Sequence, residues 1–425
     1  MPIIEFGYGH GKMTVEIEEN NLIASLMPRS EGEAAAEKEV VAKAMASPIG
    51  TQKLREIVSS GQSVAVVISD VTRPCPSYKI LPSVLAELNG AGVKDEDILI
   101  VSGLGSHRKQ TDAERERLVG AEVFRRVRVI DSDPEDCVQV GVSSHGTPFD
   151  VFRPVAEADV RVVIGNIDYH YFAGYSGGCK AIVPGVCTRA TIERNHSMML
   201  LDDARVGKAD GNPVRADIEE ILNYLSIDFM VNVILNEKKE IAAAVAGHPV
   251  RAHREGCAIL DRVYKQYIDR LADIVIASPG GLPKDLNVYQ TQKALDNAQW
   301  AVKDGGIIIL VGECREGYGE ATFAAWLSEA NSPDELIDHI GREFRLGGHK
   351  AAAIAKVTKK ADVYLVSSLP KEMAEKLYVT PFDDLQTAYD AALAKMEKEK
   401  GEPAGVYCMT VGGTTLPCCR EKEHE

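Results

Sequence analysis

VAVVISDVTRPCPS, residues 64–77, decides the fold reading. Val64 to Ile68 is an unbroken apolar run rich in β-branched residues. Such a run, with no polar alternation, suits a strand buried on both faces of a parallel sheet. It breaks into Asp, Thr, Arg and two prolines, and an amphipathic pattern then runs from Ile80 to Leu88. Strand, turn and helix in that order are the start of a crossover unit.

The same theme recurs after this stretch. Ile98 to Val101, Val127 to Ile130 and Val160 to Ile164 predict further strands. A second series begins near Asp273, where Ile274 to Ala277 ends in SPGGLPKD and a helix pattern runs from about Val288 to Val302. Ile307 to Val311 and Val363 to Val366 predict more strands, with helices at Ala321–Leu327, Pro333–Phe344 and Lys350–Val357 between them. We expect an α/β protein of two domains, 1–268 and 269–425, with largely parallel sheets flanked by helices and the active site in the cleft between them. The helical segment from His253 to Tyr267 is the expected hinge. The charged stretch after Glu397 reads as loop and tail.

Composition narrows the function classes. The 425 residues carry a formal net charge of −15, with 45% hydrophobic and 26% charged residues. A strong acidic balance argues against nucleic acid or an anionic membrane as main partner, since both need a basic face. It leaves room for a small anionic substrate in a locally basic pocket. The beginning of the sequence reads as no secretory signal. No run approaches the ~18 apolar residues of a membrane span. There are nine cysteines, none in a C-x-x-C pair, which fits a reducing cytoplasm and no zinc knuckle. Cys418 and Cys419 read as exposed thiols near a frayed end. The sequence is compatible with a homo-oligomer and selects no state.

In open α/β sheets, ligands bind beyond the carboxyl ends of strands. The turns there are SDVTRPCPS, SGLGSHR and GNIDYH. The richest stretch is DYHYFAGYSGGCK, residues 168–180, followed by an Asn195–His196 pair. Gly174, Gly177 and Gly178 precede Lys180 at a spacing that is not a Walker A motif. A lysine on such a loop is a phosphate contact, a covalent attachment point, or a surface residue beside a tight turn. GLGSHR has Arg where a dinucleotide fingerprint needs its third glycine. His107, His170 and His196 fall at or near strand ends, and histidine exchanges protons near neutrality. Arg73 is suited to a carboxylate, or to an ion pair with Asp70 that stiffens its turn. Tyr289, Gln290 and Lys293 come early on one helix, with Tyr289 and Lys293 on one face.

At these residues the sequence resembles the nickel-pincer lactate racemase family over nearly its whole length. The shared motifs are the D-x-T-R turn at Asp70–Arg73, the turn at His107 and H-x-x-A-G-Y-S-G-G-x-K from His170 to Lys180. Asn195–His196 and the set Tyr289, Gln290 and Lys293 follow. The resemblance implies a racemase or epimerase of a 2-hydroxy acid, lactate or a related one. It implies a pyridinium-3,5-bisthiocarboxylic acid mononucleotide carried covalently on Lys180, binding nickel with His196 as the protein ligand. Asp70, Thr72, Gly174, Gly177 and Gly178 would hold the cofactor. Arg73, Tyr289, Gln290 and Lys293 would hold the substrate, and His107 and His170 would be the two general bases. It also implies cofactor-maturation enzymes as partners, and reversible hydride transfer as the route. Cys179 departs from the family pattern, which has Gly or Arg there. The competing readings are an NAD-dependent 2-hydroxy-acid dehydrogenase and a non-catalytic nickel- or nucleotide-binding homologue.

Overall fold

A computed structural model describes residues 1–29, 36–342, 344–345 and 347–420. The chain divides into two compact units, Glu31–Arg262 and a second made of Met1–Ser30 with Val263–Glu425. Both are α/β, as expected.

The sheet of the first unit has six strands. In spatial order they are Ile241–Gly247, Phe229–Leu235, Val160–Asn166, Val64–Ser69, Ile98–Gly103 and Arg128–Asp131. All neighbours are parallel except the pair Phe229–Leu235 and Ile241–Gly247. From Val64–Ser69 the chain winds outward through Ile98–Gly103 to Arg128–Asp131. It then returns to the other side of the starting strand with Val160–Asn166. The order therefore reverses between Val64–Ser69 and Val160–Asn166, where a doubly wound sheet opens a crevice at its carboxyl edge. Val64, Val66 and Ile68 point into a core closed by Ile80, Leu81, Val84, Leu85 and Leu88 of the helix Ser77–Gly90. Each side chain so buried contributes roughly 1.5–3 kcal/mol.

The second unit has a six-stranded, wholly parallel sheet. Its order is Thr380–Phe382, Asp362–Val366, Val302–Val311, Ala272–Ala277, Val406–Met409 and Leu22–Ser25. The helix Leu385–Lys400 packs on it through Leu385, Ala388, Tyr389, Ala392 and Met396.

Four expectations are corrected. Residues 1–29 belong with the second unit rather than the first. The strand Leu22–Ser25 adds parallel to Val406–Met409, and Phe6, Val15 and Ile17 of the N-terminal segment enter the second unit's core. The segment after Lys400 is not merely tail, because it supplies the strands Val406–Met409 and Leu416–Cys419. Cys418 and Cys419 pair with Tyr267 and Ile268 in a small parallel ladder, and Cys419 is buried rather than frayed. The helix expected to reach Phe344 spans Pro333–Arg342, and Glu343 lies outside the described residues. All nine cysteines are free thiols. Among the described residues no helix is long and apolar enough to cross a membrane.

Candidate functional site

The predicted turns meet at the reversal point of the first unit's sheet. Asp70 follows the strand Val64–Ser69 directly and is buried. Its Oδ2 lies 2.5 Å from His107 Nδ1, and its Oδ1 accepts from Thr72 Oγ1 at 2.7 Å. Burial pushes the Asp70 carboxyl up. The hydrogen bonds from His107 and Thr72, with the charge of Arg73, outweigh that and hold it below the usual carboxylate range. An ionised carboxylate only accepts, so His107 carries its proton on Nδ1 and presents the Nε2 lone pair. The Asp70 carboxylate, expected at the cofactor, faces His107, and a buried aspartate so placed can orient the ring. It forms no stiffening ion pair with Arg73, which is exposed.

His170 ends the first strand of a two-residue hairpin, Tyr169–His170 against Gly174–Tyr175. Burial, then the charges of Lys180, His196, Arg73 and Arg215, bring its pKa far below the ordinary histidine value. The ring is therefore neutral near pH 7. Its Nδ1 accepts from Ala173 N at 3.3 Å, which puts the proton on Nε2. Phe172 packs edge-on against both His170 and His196, with centroids 4.5 and 4.8 Å away.

Lys180 sits in the turn Gly178–Ala181, which packs against the strands Val64–Ser69 and Val160–Asn166. Desolvation, aided by Arg73 and Arg215, lowers its amine to about 7. A half-buried lysine brought to that value has roughly half of its amine neutral near pH 7. Cys179 beside it is buried, and burial pushes its thiol up to about 12, which makes it a packing residue.

The loop before Lys180 is held from behind. Arg215 is fully buried and donates to the carbonyls of Ala173, Tyr175 and Gly177. Asn232 Oδ1 accepts from Gly178 N at 2.8 Å, and His253 Nε2 lies 2.7 Å from Ser176 O. The glycines answer to this packing. A Cβ on Gly174, at φ +75°, would lie 1.9 Å from Lys208 O. One on Gly177, at φ +77°, would lie 2.4 Å from Asn232 Oδ1. Gly174→Ala is expected to cost about 3 kcal/mol or more in a urea melt, from left-handed strain plus a backbone clash. A loss under about 1 kcal/mol would show that the loop moves freely.

His196 lies near the end of the helix Arg189–Ser197, whose first turn Thr188 caps. Its Nδ1 is 3.2 Å from Asn195 Oδ1. Arg215 is set by the next helix, Pro213–Glu219, which Asn212 caps with Pro213 at its first position.

Of the predicted site residues, Asp70, Thr72, Arg73, His107, His170, Gly174, Gly177, Gly178, Lys180 and His196 therefore all belong to the first unit. Tyr289, Gln290 and Lys293 lie in the second unit, on the helix Val288–Ala298 that Asn287 caps. Gln290 and Lys293 are exposed there, and the Tyr289 ring lies 3.9 Å beneath the Lys350 ammonium. The sequence reading missed Arg215, Asn232 and His253. Two had a signal. Asn232 interrupts the apolar strand FMVNVIL, and His253 falls on the apolar helix face of Cys257, Leu260 and Tyr264. Nothing local marks Arg215 as buried.

The chain matches the family described as "Lactate racemase N-terminal domain" over residues 8–207 and "Lactate racemase C-terminal domain" over 268–412. It is 30% identical to a lactate racemase of Thermoanaerobacterium thermosaccharolyticum, over 92% of this chain and 94% of that one. It is 30% identical to a lactate racemase of Lactiplantibacillus plantarum, over 97% of this chain and 99% of that one. The solved lactate racemase apoprotein from T. thermosaccharolyticum superposes with a TM-score of 0.87 at 29% identity, covering 98% of this chain and all of that one.

Proposed function

The chain belongs to the lactate racemase family and is an isomerase, and from that premise we propose that it inverts the C2 carbinol centre of lactate or a related 2-hydroxy acid, using a nickel-pincer nucleotide tethered to Lys180. One observation carries the reading. A lysine amine lowered to about 7 shares the sheet's reversal point with an aspartate-oriented histidine and a neutral one.

The residues fit that group. Lys180, its amine lowered to about 7, has a substantial neutral fraction for a thioamide bond to the nucleotide. His196 offers an imidazole, which suits Ni(II) alongside sulfur donors. Among the described residues, no three His, Cys, Asp or Glu side chains gather as a metal site. A nickel held at His196 would thus draw its other donors from the nucleotide. Thr72 and the loop 174–178 would flank the nucleotide. When bound, the group supplies a reversible hydride acceptor.

The chain's own residues handle protons and charge. The Cα–H beside a carboxylate is a very weak acid, so direct deprotonation is disfavoured and the hydroxyl proton is the one to move. His107 Nε2 takes that proton while Asp70 steadies the imidazolium that forms. His170 presents Nε2–H in the resting state. A base role for it requires the proton to pass to Nδ1, at the expense of the bond from Ala173 N. Arg73 would hold the substrate carboxylate in the first unit, and Tyr289, Gln290 and Lys293 are proposed as substrate contacts of the second unit.

The partners proposed are this small acid and the enzymes that mature the cofactor. The test is intact mass, nickel content and a peptide map across Lys180 for protein co-expressed with maturation enzymes, followed by racemisation assays over a panel of 2-hydroxy acids. An adduct on Lys180 with about one nickel per chain, and a D/L-interconverted acid, are expected. An unmodified Lys180 under conditions that load an established racemase would remove the covalent cofactor. Steady reduction of added NAD by substrate would favour a dehydrogenase instead.

A further inference from the structure

Behind His196 lies a polar chain that neither the proton chemistry nor the tether uses. Asn195 is fully buried, and its Nδ2 donates to Asp217 Oδ2 at 2.7 Å and to Val214 O at 3.2 Å. Both partners can only accept, so the orientation of this amide is forced. Its Oδ1 is thereby turned to His196 Nδ1, 3.2 Å away. An amide oxygen also only accepts, so the proton of the neutral His196 ring must sit on Nδ1. The lone pair then sits on Nε2.

Asp217 anchors the arrangement. It is fully buried on the helix Pro213–Glu219. Ser143 Oγ donates to its Oδ1, and Thr147 Oγ1 donates to its Oδ2 at 2.9 Å. Both hydroxyls come from the segment joining the strands Cys137–Val142 and Pro148–Phe152. The nearest cationic candidate is His145, whose Nδ1 is 3.9 Å from Asp217 Oδ1. A buried carboxylate served mainly by neutral donors carries a large desolvation cost. Asp217 supplies the shorter of the two bonds that orient the amide of Asn195, with the Val214 carbonyl supplying the other.

We propose that Asp217 is a positioning residue which, through Asn195, locks His196 in the Nδ1–H tautomer and so offers Nε2 as the nickel ligand. This rests on the reading of His196 as that ligand. Outer partners of a metal-bound histidine fix its tautomer in the same sense, and their loss typically costs about 10–100-fold in metal affinity.

The tautomer can be read without cofactor or turnover. The experiment is ¹⁵N and ¹³C NMR of histidine-labelled, unloaded protein near pH 8, with the His196 signals assigned by their absence in His196→Gln. Wild type is expected to show Nδ1–H. Asp217→Asn should shift the population towards Nε2–H. Asn195→Leu, which leaves Asp217 its two hydroxyl donors, should do the same if the first variant folds poorly. Matured protein carrying either change should lose nickel to a chelator about 10–100-fold faster than wild type. A wild-type His196 already protonated on Nε2, or a tautomer unmoved in both variants, overturns the relay. A tautomer that switches as expected in a wild-type and variant series that never takes up nickel overturns instead the reading of His196 as a ligand, and with it the purpose assigned to Asp217.

Discussion

Racemisation by the matured protein is expected to fall to background when Lys180 is replaced by methionine, while the unloaded protein gains stability. The first effect follows from the tether, since methionine has no amine to form the bond and maturation enzymes cannot restore one. Intact mass should show no adduct at any loading time. The second effect follows from the lowered amine. In the unfolded chain a lysine titrates near ~10.4, whereas here it titrates at about 7. Between those values the unfolded chain binds a proton that the folded chain does not, so wild-type stability rises with pH across that window. Below pH 7 both forms are protonated and the folded state bears the full cost of the desolvated charge. Methionine carries no such cost. The variant should therefore be more stable by about 1 kcal/mol at pH 6, allowing for the lysine's partial exposure, and the gap should close as pH approaches 10. Urea melts of unloaded protein at pH 6, 8 and 10 measure this. A gap that is absent at pH 6, or that widens with pH, would mean that the amine is not depressed.

His107→Ala is expected to lower kcat by about 10²–10⁴-fold in fully loaded enzyme, the usual contribution of a positioned acid or base. Nickel content and the Lys180 adduct should stay at wild-type levels, because His107 is bound to Asp70 and touches neither the tether nor His196 in the contacts seen here. Asp70→Asn tests the orientation of the ring apart from its presence. An amide opposite Nδ1 can donate as well as accept, and so permits the tautomer with the proton on Nε2. Its kcat should fall as well, with KM little changed. Retention of more than about a tenth of wild-type kcat in His107→Ala would move the first proton transfer to another group.

Many strands of the two units could be read because parallel strands buried on two faces need continuous apolar runs, although the buried strands Phe229–Leu235 and Val406–Met409 were not. Val64 to Ile68 and Ile274 to Ala277 have such runs. The hairpin Ile3–Tyr8 with Gly11–Glu16 and the edge strand Leu22–Ser25 do not. They are half-exposed, so their burial depends on distant partners that no local pattern names. The site divides in the same way. Residues that must stand at strand ends were legible as turns of unusual composition, as at Asp70–Arg73 and His170–Lys180. Residues that support them from helices were not. Arg215 and Asp217 look like ordinary surface charges in PVRADIEE until the fold buries them. Gly174 and Gly177, expected at the cofactor, are also required by protein backbone and side chain behind the loop.

The pairing of Leu22 with Val406 has a consequence for synthesis. The first unit is built from one continuous stretch and can fold as it leaves the ribosome. The second cannot finish its sheet until residues near 406 emerge. At roughly 5–20 residues per second, the N-terminal segment waits on the order of tens of seconds with Phe6, Val15 and Ile17 still uncovered. Those three side chains end up fully or almost fully buried. A nascent chain with an exposed apolar hairpin and an unfilled sheet edge is an invitation to mispairing, so the yield of folded protein should depend on chaperones holding that segment more than on anything near the active site.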